Sequence, residues 1–163
     1  PALNWREVRL QGLTALLPCK PDQAQRPVHL ADQDLTMEMM GCEAAGGLFA
    51  ISHVRVKDDK HLNTVREQWR QQALTALRAT DVQDIPFQLK TKVNDQLAAT
   101  AMPAALTVLP QLVSARGLRP DGSPVVARLL WIGSGNDIYH VAVYANQVSG
   151  ETVDRLFTGL SLQ

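Results

Sequence analysis

Several features that commonly mark a function are scarce in this chain. Only 2 of its 163 residues are cysteine, aromatic residues make up 5%, and 16 lysine and arginine residues balance 16 aspartate and glutamate residues. A chain without excess positive charge has no general means of neutralising phosphates, so the composition argues against nucleic-acid binding. The same balance provides no polybasic patch for a membrane surface.

Long apolar runs are missing as well. A run such as residues 129–132 is the size of a strand, whereas a membrane-spanning helix needs about 20 apolar residues. We therefore expect no transmembrane segment in this chain. The sequence begins at Pro1, which predicts a processed or a recombinant form. A removed leader or a lipid anchor upstream of Pro1 stays open, so the start of the chain does not favour the cytosol.

The sequence lacks the spacing of the common catalytic and cofactor motifs. Ser52, Ser114 and Ser134 do not lie in a G-x-S-x-G elbow, and Gly133 and Gly135 are not part of a phosphate-binding G-x-x-x-x-G-K run. A hydrolase would need a nucleophile with a base and an orienting group. We therefore expect a protein that is not an enzyme and has no cofactor.

The two cysteines, Cys19 and Cys42, do not form a C-x-x-C pair. Each lies at the end of a predicted strand, and the predicted hairpin between them would bring both ends together. A disulfide there would contribute about 3 kcal/mol and would imply export to an oxidising compartment. The alternative is two buried free thiols. No histidine has the spacing that would complete a zinc site with them.

The chain does contain an ordered series of apolar patterns. Alternation with a period of two predicts strands early and late in the sequence. The predicted strands are residues 13–17, 27–31, 35–42, 48–56, 112–117, 124–132 and 138–145, and residues 85–89 are predicted to be a short extended segment. Residues 3–10 fit either a strand or a packed loop. Residues 91–110 mix alanines with Pro103 and Pro110, which leaves a loop or a lid open there.

Two segments have the spacing of amphipathic helices. The first covers about residues 60–78, with Asp58 or Asp59 as its cap, and the second is near the end of the chain. Their apolar stripes are Leu62, Val65, Trp69, Ala73, Ala76 and Leu77, and then Val153, Leu156 and Phe157. The predicted elements follow the order strands, helix, strands, short helix. This order predicts a single α+β domain over residues 1–163 with a mainly antiparallel sheet.

The segment from Leu16 to Pro21 reads L-L-P-C-K-P, which resembles the F-P-x-x-P opening of the PsbP-like superfamily. The Arg116-Gly117 strand, the Trp131 strand and the closing residues 157–162 follow in the order that this superfamily shows. Its members include photosystem extrinsic proteins, a Ran-binding nuclear import factor and bacterial DcrB-type lipoproteins. The resemblance implies an α/β/α sandwich around a mainly antiparallel sheet of six or seven strands. It transfers no catalytic residues, and the two cysteines suggest an exported bacterial branch.

Four polar side chains on predicted strands form a candidate ligand or partner face. His53 and His140 would make a metal-binding or proton-handling pair if their strands are neighbours. Arg55 and Arg128 could line the same face and recognise an anionic ligand or an acidic partner. The alternative is a set of unrelated, solvated strand residues, because no nearby carboxylate completes a site in the sequence.

These observations predict a non-catalytic exported domain, periplasmic or lipoprotein-type, that acts through contacts with a protein or with the envelope. An alternative is a cytoplasmic chaperone-like adaptor that binds apolar segments. It would use free thiols and a flexible methionine surface built from Met37, Met39, Met40 and Met102. A small-ligand binder or enzyme that uses His53 and His140 is the third reading.

Overall fold

The computed structural model describes residues 3–91, 106–147 and 150–163. Most of the unassigned stretch at residues 91–110 therefore lies outside the described residues. Within them, strands form two sheets, and two helices pack against the larger one. The chain is thus an α+β protein in which antiparallel pairing dominates, as the sequence predicts. No helix in these ranges combines the length and the apolar character that crossing a membrane would require.

The larger sheet has seven strands, and each of its pairings is antiparallel. In chain order they are β3 (Asp22–Leu30), β4 (Gln33–Ala44), β5 (Gly47–Arg55), β6 (Thr80–Ile85), β8 (Leu106–Leu118), β9 (Pro124–Ser134) and β10 (Asp137–Ala145). Their order across the sheet is β3-β4-β5-β10-β9-β8-β6. The late hairpin β9–β10 thus inserts beside β5, which places residues far apart in sequence next to each other.

The smaller sheet lies over one face of the larger one. It contains β1 (Arg6–Leu10), β2 (Leu13–Leu17), β7 (Lys90–Thr91) and β11 (Ser161–Leu162), in the order β1-β2-β11-β7. Residues 6–10 are therefore a strand. The last strand is the apolar end of the chain, and it pairs antiparallel with β2 and parallel with β7.

Two apolar clusters hold the layers together, one on each face of the larger sheet. The first joins the sheet to the long helix α1 (Leu62–Ala76), whose buried stripe is Leu62, Val65 and Trp69. The second joins the opposite face to the smaller sheet and to α2 (Gly150–Thr158). One outer layer is thus a helix, and the other combines a helix with a small sheet.

Hydrogen bonds hold the turn before α1 and the end of α1, and the expected aspartate cap belongs to that turn and not to α1 itself. The Asp58 carboxylate accepts a hydrogen bond of 3.0 Å from the Lys60 N–H, which caps the single 3₁₀ turn before the helix. At the other end, the Leu77 carbonyl accepts a hydrogen bond from the Leu118 N–H. Leu77 also rests directly on Gly117, where a Cβ atom would overlap the Leu77 carbonyl oxygen. The absence of a side chain at Gly117 thus lets the helix end touch strand β8.

Strands β3 and β6 differ from the prediction. The strand expected at residues 27–31 begins at Asp22, and β6 ends at Ile85, so it lies before the extended segment expected at residues 85–89. The reason is the same in both cases. Strand β3 is exposed over most of its length and β6 over almost all of its length, so neither has an inward-facing apolar series that alternation could reveal. The helix and the β9–β10 hairpin are confirmed.

Candidate functional site

His53 lies at the centre of a buried polar cluster on the face covered by the smaller sheet. Strand pairing places it directly between Glu38 of β4 and Tyr139 of β10. Its side chain is 3% exposed. The Nε2 atom is 2.7 Å from Asp137 Oδ1, and the Nδ1 atom is 3.7 Å from Glu38 Oε1. No hydrogen-bond partner for Nδ1 occurs among the described residues.

Asp137 contacts two side chains of the cluster. Besides its contact with His53, it accepts a hydrogen bond of 2.8 Å from Arg55 Nε. Burial by itself would raise the pKa of Asp137, but the hydrogen bonds from His53 and Arg55 outweigh burial and hold that pKa below its usual value. The same hydrogen bond raises the pKa of Arg55. The carboxylate is therefore the ionised partner of both side chains.

The cluster also ties the smaller sheet to the larger one. Gln11, in the β1–β2 turn, donates to Glu38 Oε1 over 2.7 Å and accepts from Arg55 Nη2 over 3.3 Å. These residues, with His53 and Asp137, are called the His53 cluster below. Because the imidazole is enclosed, the arrangement can position one strand layer on another but cannot present His53 to a substrate. Across the described residues, no three metal-ligating side chains are arranged to hold a metal ion.

His140 does not share a face with His53, which corrects the predicted histidine pair. In β10 it follows Tyr139, and successive strand residues point to opposite sides. Its ring stacks on Trp131 at 4.3 Å and meets Trp69 edge-on at 5.5 Å. The Leu130 carbonyl accepts a hydrogen bond from Nδ1 over 3.0 Å. Burial lowers the pKa of His140 to about 4, so the ring is a neutral part of the core beneath α1.

Arg128 does not join the predicted face either. It shares the sheet face of His53, but it is paired with Val143, four positions along β10 from the residue opposite His53. It lines a depression of about 320 Å³ with Phe87 and Phe157, below α2. Of the four predicted residues, only His53 and Arg55 are therefore neighbours.

Sequence reasoning overlooked the carboxylates that complete the cluster. Asp137 belongs to the predicted turn at residues 133–137, and Glu38 alternates with the buried positions of β4, so both read as solvated. The contact of Asp137 depends on β10 pairing with β5, across 84 residues of sequence, and that of Glu38 depends on β4 pairing with β5. Asp137 is paired with Arg55, two positions from the residue opposite His53, and this proximity is a signal only once that register is known.

A second candidate site is an open cleft of about 790 Å³ on the opposite face, at the end of α1. Its floor is a row of directly paired residues on neighbouring strands, Glu43, Leu48 and Tyr144. Its wall is Ala73, Ala76 and Leu77, and Arg119 lies at its far end. Leu48 is 40% exposed, and burial raises the pKa of the Tyr144 phenol. This site is called the α1 cleft below.

Cys19 and Cys42 lie at disulfide-bonding distance, with their Cα atoms 5.9 Å apart. Cys42 is buried in β4, and Cys19 follows β2. The pair therefore links the smaller sheet to the larger one, at a point distinct from the His53 cluster. This pairing agrees with the sequence prediction.

The sequence matches no model of a known protein family. The comparison with curated proteins likewise returns no match. The function is therefore argued from the residues and their geometry alone.

Proposed function

We propose that this chain is an extracytoplasmic domain that acts by binding another protein and not by catalysis. The proposal of an extracytoplasmic location rests on Cys19 and Cys42, which lie at disulfide-bonding distance. Disulfides form and persist in the periplasm and in other oxidising compartments, and they are rare in the cytosol. The cysteine pair thus supports the proposed periplasmic or envelope location.

Binding is favoured over catalysis by the contrast between the two candidate sites. The His53 cluster has the richest chemistry, but its imidazole is enclosed and its Nε2 atom is occupied by Asp137. The α1 cleft is open and mainly apolar, and such concave apolar surfaces commonly receive ligands and partners. The reading that relied on His53 and His140 together loses its basis, because the two rings lie on opposite faces.

We also propose that the fold is PsbP-like. One helix covers a seven-stranded antiparallel sheet on one side, and a second helix contributes to the layer on the other side. This layering supports the resemblance carried by the segment from Leu16 to Pro21. A lipid anchor upstream of Pro1 stays a prediction.

The test is the mass of the protein from its native host after alkylation under denaturing conditions, with and without prior reduction. We expect Cys19 and Cys42 to be alkylated only after reduction. Direct labelling of both thiols would contradict export and would favour the cytoplasmic adaptor, which needs free thiols. Crosslinking in intact cells then tests the binding role: a reproducible partner in the envelope fraction is expected, and its repeated absence would count against that role.

A further inference from the structure

The α1 cleft exists because the helix is held over one part of the sheet and leaves another part uncovered. Leu77 rests on Gly117 of β8, so the end of α1 is anchored at that strand. The end of β4, the start of β5 and the end of β10 line the cleft beside the helix. Two small side chains, Ala73 and Ala76, face them across the gap. The result is a trough that runs across the strands, with an apolar wall and a floor that is apolar at Leu48 and polar at Glu43.

The two ends of the trough carry opposite charges. Glu43 is an exposed residue of β4, and Arg119 follows directly after β8. Strands β4, β5, β10, β9 and β8 are successive neighbours, so four strand spacings separate the ends. At about 4.8 Å per spacing, the separation measured across the strands is about 19 Å, and Arg119 is also displaced along the strand direction, four positions beyond Ala115 in the row of Glu43. The Arg119 guanidinium donates to the Ser123 hydroxyl and to the Pro124 carbonyl, which fixes it at its end of the trough.

We propose that the α1 cleft binds an extended apolar peptide segment of a partner protein, with a basic side chain at the Glu43 end and an acidic side chain at the Arg119 end. A strand-like peptide rises about 3.3 Å per residue, so about six residues span the trough. This proposal rests on the binding function proposed above and names its site and the chemistry of its partner.

The charge pair favours a peptide over a fatty acid. A fatty acid could place its carboxylate at Arg119, but its acyl chain would then cover Glu43 and take that carboxylate out of water without a partner. A peptide can carry one charge at each end and apolar side chains between them. Opposite charges on the two partners also select the correct partner, because a wrong charge is repelled.

Three blocked, fluorescently labelled hexapeptides test the proposal directly. They share a leucine and alanine centre and differ at their ends, which are Lys and Glu, two Lys, or two Glu. We expect the purified protein to bind the Lys/Glu peptide about fivefold more tightly than either of the others, which is the scale of one exposed ion pair. In Glu43→Lys, both ends of the cleft are basic, so the preference should move to the peptide with two Glu ends.

Two tryptophan variants locate the binding. Ala76→Trp fills the wall of the cleft and should abolish peptide binding, whereas Gln72→Trp, on an exposed part of α1 outside the cleft, should not change it. The proposal fails if the wild-type protein binds none of the peptides, if Glu43→Lys leaves the order of affinities unchanged, or if Ala76→Trp binds normally. Binding of palmitate but of no peptide, or self-association that Ala76→Trp abolishes, would also overturn it.

Failure of this proposal can be told apart from failure of the proposed function. If an envelope partner crosslinks at a surface other than the cleft and the peptides do not bind, the cleft assignment is wrong and the binding function stands. If the peptides behave as expected but the thiols of the native protein are free, the cleft assignment stands and the extracytoplasmic location is wrong.

Discussion

The Tyr139 hydroxyl accepts a hydrogen bond of 2.9 Å from the backbone N–H of Gly12. This bond joins the centre of the larger sheet to the β1–β2 turn of the smaller sheet, and burial raises the pKa of the phenol. Next to it, Gln11 contacts the His53 cluster. The β1–β2 turn is thus fixed to the larger sheet by adjacent backbone and side-chain contacts.

Replacing Tyr139 with Phe should lower the free energy of unfolding by about 1 kcal/mol, because the Gly12 N–H loses its partner at a partly buried position. Urea unfolding measures this change, and amide exchange at Gly12 should accelerate. The control is Tyr144→Phe, in the half-buried floor of the α1 cleft. Equal stability of the Tyr139→Phe and wild-type proteins would show that the bond contributes nothing.

Replacing Asp137 with Asn should destabilise the fold by about 2 kcal/mol, since Arg55 and His53 lose their shared carboxylate. The folded pKa of Asp137 is lowered, so its stabilising effect is complete above the unfolded pKa and is lost as pH falls through the folded value. Wild type and variant should therefore converge in stability under acid conditions. Asp34→Asn, whose carboxylate is exposed beside His29, is the matched control.

His140 should make the protein less stable as pH falls below neutrality. The unfolded imidazole titrates near pH 6.5 and the folded one at about 4, so between these values the unfolded chain binds more protons. Stability should therefore fall by about 3 kcal/mol from pH 7 to pH 4. Urea unfolding across this range should show the fall in wild type. It should be much smaller in His140→Phe, while His61→Gln, at an exposed site, should behave as wild type.

Breaking the link between Cys19 and Cys42 should cost about 3 kcal/mol, because the unfolded chain gains the freedom of the loop that the bond closes. Denaturant unfolding of the wild type with and without reductant measures the loss. The double variant Cys19→Ser/Cys42→Ser should match the reduced wild type and should not respond to reductant. A wild type that is equally stable in both conditions would rule out this contribution.

Replacing Gly117 with Ala should destabilise the protein by about 2 kcal/mol, since the added methyl group must displace the end of α1. The same variant should alter the α1 cleft, whose wall includes Leu77. Gly150→Ala is the control, because a Cβ atom there meets open space. Thermal unfolding of both variants distinguishes this local clash from a general effect of adding a methyl group.

Local patterns in the sequence predict much of the fold. The stripe Leu62, Val65 and Trp69 identifies α1 because helical spacing needs only neighbouring turns. The gap between the predicted strands, residues 133–137, likewise contains the two residues that join β9 to β10, and the sequence predicts the disulfide because both cysteines end strand-like runs. Each of these features depends on residues close together in sequence or on one simple pairing.

Contacts between distant strands explain what the sequence did not reveal. Whether His53 and His140 meet depends on which residues of β5 and β10 are opposite each other. A shift of the register by one residue moves every side chain of a strand to the other face of the sheet. Asp137 completes the His53 cluster from 84 residues away. The α1 cleft depends on where α1 ends over the sheet, which is set by a missing side chain at Gly117.

The exposed outer strands of the larger sheet have a consequence for self-assembly. Pro27 lies within the unbroken pairing between β3 and β4. Its ring nitrogen has no hydrogen to donate and therefore faces the outer edge of the sheet, where no donor is needed. At the other border, β6 changes register between Thr80 and Gln83, and Asp81 has a φ of 55°. A strand from another molecule would meet a missing donor on one side and an irregular backbone on the other. The architecture therefore resists edge-to-edge polymerisation, the route by which flat sheets grow into fibrils.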